Sequence, residues 1–127
     1  MLMKKNATLL RIMMGDSDRI GSTAAYEKIV LEAKKHGLAG ATVIKGIMGF
    51  GATSRIIHSS KILRLSEDLP HIVEIVDEQE KIEAFLPLLN ELLERTAFGG
   101  LITASPVDVI QYSAGEQSEE KHRKHRN

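Results

Sequence analysis

Hydrophobic positions along the chain repeat with two different spacings, and the switch between them lays out the fold. From Thr8 to Met14, Leu10, Ile12 and Met14 alternate with Leu9, Arg11 and Met13, the two-residue period of a strand. After the polar stretch Gly15 to Thr23, apolar residues fall at Tyr26, Ile29, Val30 and Ala33, an i, i+3, i+4, i+7 stripe that predicts a helix. Ser22 or Thr23 can cap its start and Gly37 can end it. Ala41 to Ile47 reads as a second strand, and a connection of roughly twenty residues, long against the usual two to five, leads to a third strand at His71 to Val76 directly after Pro70. Asp77 with Glu80 three residues on has the form of a capping box. Ile82, Phe85, Leu86, Leu89, Leu92 and Leu93 then supply a second helical stripe, which Pro87 is expected to kink or break. Leu101 to Thr103 and Val107 to Tyr112 read as short closing strands separated by Ser105 and Pro106.

The order β, α, β, β, α, β predicts an α+β fold of the ferredoxin-like βαββαβ kind, a four-stranded antiparallel sheet with two helices on one face. Leu9 and Met13 behind Leu10 and Ile12, and Ile72 and Val76 behind Val73 and Ile75, would then leave an apolar face without a cover. Exposed patches of that sort mark interfaces. The pattern therefore predicts a closed cyclic homo-oligomer, a trimer before a dimer.

With 127 residues the chain is expected to form one domain, residues 7–113, followed by a disordered charged tail, residues 114–127, in which acidic Glu116, Glu119 and Glu120 precede the basic run Lys121 to Arg126. The absence of cysteine excludes a disulfide framework, a thiolate metal site and a cysteine nucleophile, and fits a reducing cytoplasm. Thr8 to Met14, interrupted by Arg11 and ended by Gly15 and Asp16, is too short and too polar for a signal peptide or a spanning helix. Acidic and basic side chains balance at 17 each, so no net field favours nucleic acid.

Three segments carry candidate chemistry. Gly46-Ile47-Met48-Gly49-Phe50-Gly51 opens the long connection, where glycines permit positive φ and close approach of backbone N–H groups to an anion; a flexible strand exit needs the same glycines. Further along, Ser54, Arg55, His58 and Arg64 are candidate contacts for an anionic ligand, and equally the side chains of a solvated loop. Arg95 and Thr96 stand before Gly99 and Gly100, a turn that can present amides and a guanidinium to a phosphate or simply stop a helix. No Gly-x-Ser-x-Gly elbow or His-Glu-x-x-His helix is present, so no catalytic residue is assigned and the chain is read as a binding protein and not an enzyme. His58 has no second histidine at helical spacing, so no metal site is assigned.

Taken together, Leu10-Arg11-Ile12, Gly15-Asp16, Gly37 to Val43, Gly46 to Gly51, Ser54 to His58, Leu65 to Pro70 with Ile75-Val76-Asp77, Lys81 to Pro87 and Val107 to Ile110 resemble the bacterial family called domain of unknown function 190, over residues 8 to 112. That family is similar in fold to the PII nitrogen-regulatory proteins. The resemblance implies a signalling trimer that binds an adenine nucleotide in clefts between subunits and docks the connection, residues 48–68, onto an enzyme or a membrane transporter, such as the small fluoride channels that family members accompany. Under it, Gly46, Gly49, Phe50 and Gly51 match the loop base, and Arg95, Thr96, Gly99 and Gly100 match the turn after the second helix. One departure stands out: where PII proteins hold phosphates with a lysine and two arginines, this chain has Gly100, Gln111 and Ser113, which leaves Arg55, Arg64 or the tail as substitutes. The alternative of the same architecture is a metal-binding trimer resembling the divalent-cation tolerance proteins, with His58 and His71 as ligands.

Overall fold

A computed structural model describes residues 6–15, 18–49, 69–96 and 99–115. Strand β1, Ala7–Gly15, is followed by a two-rung hairpin of β2, Arg19–Ile20, and β3, Thr23–Ala24, then helix α1, Ala25–Lys35. Strands β4, Thr42–Lys45, and β5, Pro70–Glu78, precede helix α2, Gln79–Glu94, and β6, Leu101–Val107. The four long strands form one sheet in the order β4-β5-β1-β6 with every pair antiparallel, the βαββαβ sandwich expected from the order of elements.

The alternation in β1 and β5 puts Leu10 opposite Ile75 and Ile12 opposite Val73, all four fully buried. Ile29 and Ala33 of α1 and Ile82, Phe85, Leu89 and Leu93 of α2 complete the core on that side. Helix packing follows from the stripes: His36 at the end of α1 meets the Phe85 ring edge-on with centroids 6.5 Å apart.

Helix α1 ends in a full Schellman motif. Gly37 adopts φ +79°, its N–H donates to Lys34 O at 3.1 Å, and Leu38 N–H donates to Ala33 O at 3.1 Å, which folds Leu38 onto the core. The chain then passes Ala39, which is gripped from both sides. Its N–H donates to the buried Asp77 carboxylate at 2.9 Å, and its carbonyl accepts the Tyr112 hydroxyl at 2.5 Å.

Several local expectations are corrected. Asp77 is not the cap of α2: Glu78 holds that position without a side-chain bond, because the Asp77 oxygens are taken by the N–H groups of Ala39 and Glu78. Ala24, not Ser22 or Thr23, precedes α1, since Asp18 O already receives the first helical N–H, that of Ala25, at 2.8 Å. Pro87 does not break α2, which runs on to Glu94; it sits on the exposed side of the helix, where its lost N–H and its ring face water. The last strand is continuous through Ser105 and Pro106 as far as Val107, because β6 is an edge strand and a proline there forfeits no ladder bond to a further neighbour. Residues 108–112 form no strand; they leave β6 and reach Ala39 beside the opposite edge.

Two stability outcomes follow. Asp77→Ala strands the N–H groups of Ala39 and Glu78 and is expected to cost about 2 kcal/mol in urea unfolding, with Asp77→Asn intermediate because it keeps one acceptor. Gly37→Ala puts a Cβ at positive φ and is expected to cost about 1 kcal/mol in the same assay, although the site has open space around it.

Candidate functional site

Strand directions gather one end of the sheet. Gly15 pairs with Pro70, Lys45 with His71, and Met13 with Leu101, so the exit of β1, the exit of β4, the entry of β5 and the entry of β6 share that end. Gly46, Gly49, Arg95, Thr96, Gly99 and Gly100 are therefore all placed at it. Among the described residues they are not gathered at one point. The β4 exit and the β6 entry are separated by three inter-strand spacings, about 14 Å.

The two glycines of the loop base owe their identity to close packing. Gly46 N–H donates to Pro70 O at 2.7 Å, and a Cβ on Gly46 would fall 2.7 Å from Pro70 Cγ, one on Gly49 3.2 Å from it. Neither has the positive φ that the sequence allows for; among the described residues Gly21, Gly37 and Gly115 have it. At the other edge Arg95 ends α2 and lies 3.5 Å from Glu91, an exposed i, i+4 pair. Thr96 N–H donates to Leu93 O at 3.1 Å, while its buried hydroxyl has no hydrogen-bond partner among the described residues. Phe50, Gly51, Ser54, Arg55, His58 and Arg64 lie outside the described residues. His71 is in the core, its ring stacked on Tyr26 with centroids 4.2 Å apart and planes 7° from parallel.

The uncovered face of the sheet is organised in rows set by the register. Ile44, Ile72, Met13 and Leu101 form an apolar row across all four strands. Thr42, Glu74, Arg11 and Thr103 form the next, and Val76, Leu9 and Ser105 a third. In the middle row Arg11 Nε lies 3.0 Å from Glu74 Oε2. The Nε atom is buried yet not aimed along a hydrogen bond, so the contact is a charge pairing more than a directed bond.

A cleft lies on this face, away from the loop end. It encloses about 400 Å³ between Thr42, Glu74 and Val76 of the sheet and Val109, Gln111 and Tyr112 of the segment after β6. A hollow of about 360 Å³ lies between Asn6, Thr8, Gln79 and Asp108 at the far end of β1. Neither contains a residue of the candidate set read from the sequence. Both hollows are lined by a carboxylate, a hydroxyl and an amide, and the face cleft is the more apolar of the two, which brings it nearer to the make-up of a small-molecule pocket. Glu74, Thr42, Val76 and Tyr112 went unread as ligand contacts. A signal for Glu74 did exist: it is the one charged residue inside the apolar run His71 to Val76, as Arg11 is inside Leu9 to Met14, and the two face each other.

Among the described residues no helix is long and apolar enough to cross a membrane. Comparison with known proteins then fixes the relationship. Residues 7–109 match the family DUF190, described as an uncharacterized ACR. A UPF0166 protein of Aquifex aeolicus is 38% identical over 102 residues, 80% of this chain and 91% of its own length. A UPF0166 protein of Methanocaldococcus jannaschii is 39% identical over 105 residues, 83% of this chain and 93% of its own. A match that runs from the first residue of β1 through both helices and all four long strands to Val109 means that the chain belongs to the DUF190 family.

Proposed function

We propose that this protein is a PII-like regulator: a homo-oligomer, trimeric in the PII manner, that binds a small ligand at the boundary between subunits and acts on a partner through the connection of residues 48–68. The observation that carries the reading is the position of the cleft on the uncovered sheet face. A sister chain packed against the apolar row of Ile44, Ile72, Met13 and Leu101 would sit beside the cleft and complete its outer wall. Leu101 is 55% and Ile44 42% exposed in a single chain, and Ile47 and Met48 at the loop base are more exposed still, so association removes apolar surface from water.

The chemistry of the cleft favours a flat, amino-bearing ring such as adenine. Val76 and Val109 offer apolar walls, and the Glu74 carboxylate accepts from an exocyclic N–H. Phosphates would lie toward the loop end, where Arg95 and the Gly99-Gly100 turn belong to one edge and Gly46 to the other. A neighbouring copy can bring such edges together across its boundary. The role is binding and not catalysis, in the cytoplasm, with a membrane transporter or channel as one class of partner and no nucleic acid. No observation favours the metal-binding alternative: among the described residues no group of three or more His, Asp or Glu could hold a metal ion, and His71 is buried against Tyr26.

Light scattering on the purified chain is expected to give about three times the mass of the 14.0 kDa chain, and Leu101→Asp, which places a charge in the apolar row, to give a folded monomer. A wild-type monomer at micromolar concentration would falsify the oligomeric reading. Calorimetry with ATP, ADP and AMP is expected to show saturable binding that Glu74→Ala weakens about tenfold, the loss of one hydrogen bond to a charged group. Equal affinity in that variant rules out this cleft as the ring site. The loop base is tested by Gly46→Ala, expected to destabilise by about 1 to 3 kcal/mol through its clash with Pro70, and to be largely rescued in combination with Pro70→Ala.

A further inference from the structure

The cleft exists because the chain crosses its own sheet. β6 lies at one edge and Ala39 beside the other, on the extension of β4 level with Asp77. Three inter-strand spacings amount to about 14 Å. Val107 is the last residue of the β6 ladder, paired with Ala7, and Tyr112 is the residue bonded to Ala39, five positions on. Five extended residues span at most about 17 Å, and the Tyr112 side chain extends that reach, so the segment is long enough to cross the sheet. Val109 and Tyr112 are half-buried toward the cleft, while Ile110 between them is 89% exposed. No backbone hydrogen bond ties residues 108–111 to the sheet among the described residues, and the Tyr112 hydroxyl on Ala39 O is the polar tie described for the crossing. Its receiver is firm, because Ala39 N–H is itself fixed by the buried Asp77 carboxylate.

We propose that residues 108–112 are a clasp, hinged at Asp108 and latched by Tyr112 on Ala39, that opens to admit a ligand to the cleft and closes over it. The clasp deepens the ligand-binding reading above and rests on it for the identity of the occupant. It gives the proposed regulator a moving part at the cleft itself. The family match stops at Val109, so the latch residue lies outside the matched segment. A ligand held between Val76 and Val109 touches both leaves and favours the closed form, by the linkage that lets any ligand stabilise the state it contacts more.

Because the chain has two tyrosines, Tyr26 and Tyr112, 3-fluorotyrosine labelling of the full chain gives two fluorine signals, and Tyr26→Phe assigns them. In the free protein, relaxation dispersion is expected to show microsecond-to-millisecond exchange at Tyr112 and none at Tyr26. On adding ATP the Tyr112 exchange is expected to be quenched. Tyr112→Phe is expected to weaken ATP binding roughly threefold to tenfold, the share of one hydrogen bond, and a Gly-Gly insertion between Val109 and Ile110 to weaken it at least as much. Exchange at Tyr112 without any heat from ATP supports the clasp and overturns the adenine reading of its occupant. A Tyr112 signal free of exchange, or ATP affinity unchanged by both variants, makes residues 108–112 a fixed wall or a bystander and overturns the clasp.

Discussion

Two helices can shield one side of a four-stranded sheet, and in this chain both sides of the central strands are apolar. Leu10, Ile12, Val73 and Ile75 are sealed beneath α1 and α2. Their neighbours in sequence, Leu9, Met13, Ile72 and Val76, face the other way, where among the described residues the crossing segment of residues 108–112 lies near part of them. That imbalance organises everything else. The apolar row across Ile44, Ile72, Met13 and Leu101 lies beside the Arg11–Glu74 pair, and the cleft lies where the crossing segment stands off the sheet.

The architecture was legible because it rests on periodicity. The two helical stripes and the alternations in Thr8 to Met14 and His71 to Val76 each have a single burial solution, and their order admits few topologies. The Gly37 helix stop was legible for the same local reason. What escaped was decided by competition at longer range. Asp77 has the composition of a helix cap, yet a backbone N–H 38 residues earlier claims its oxygen. Pro87 and Pro106 read as breakers, and both are tolerated because one faces solvent and the other an unpaired edge.

The candidate site was legible only in outline. Glycine motifs pointed to the loop end, and Gly46 and Gly49 do stand there, but for contact with Pro70 and not for a left-handed turn. The cleft is assembled from residues more than 60 positions apart, Thr42 with Tyr112, by a crossing segment whose route depends on a hydroxyl–carbonyl bond. No window of local sequence contains that bond, so Glu74 read as an oddity in a strand and Tyr112 as the end of one.

The sheet's two borders are both poor partners for another strand. At one border β4 is four residues long and finishes on a lysine; at the other, β6 carries Pro106. Short, charged or proline-bearing borders discourage open-ended stacking of strands. A molecule guarded in this way can expose a greasy face without polymerising through its rims, so the association proposed above would run through the face and not through open-ended strand stacking.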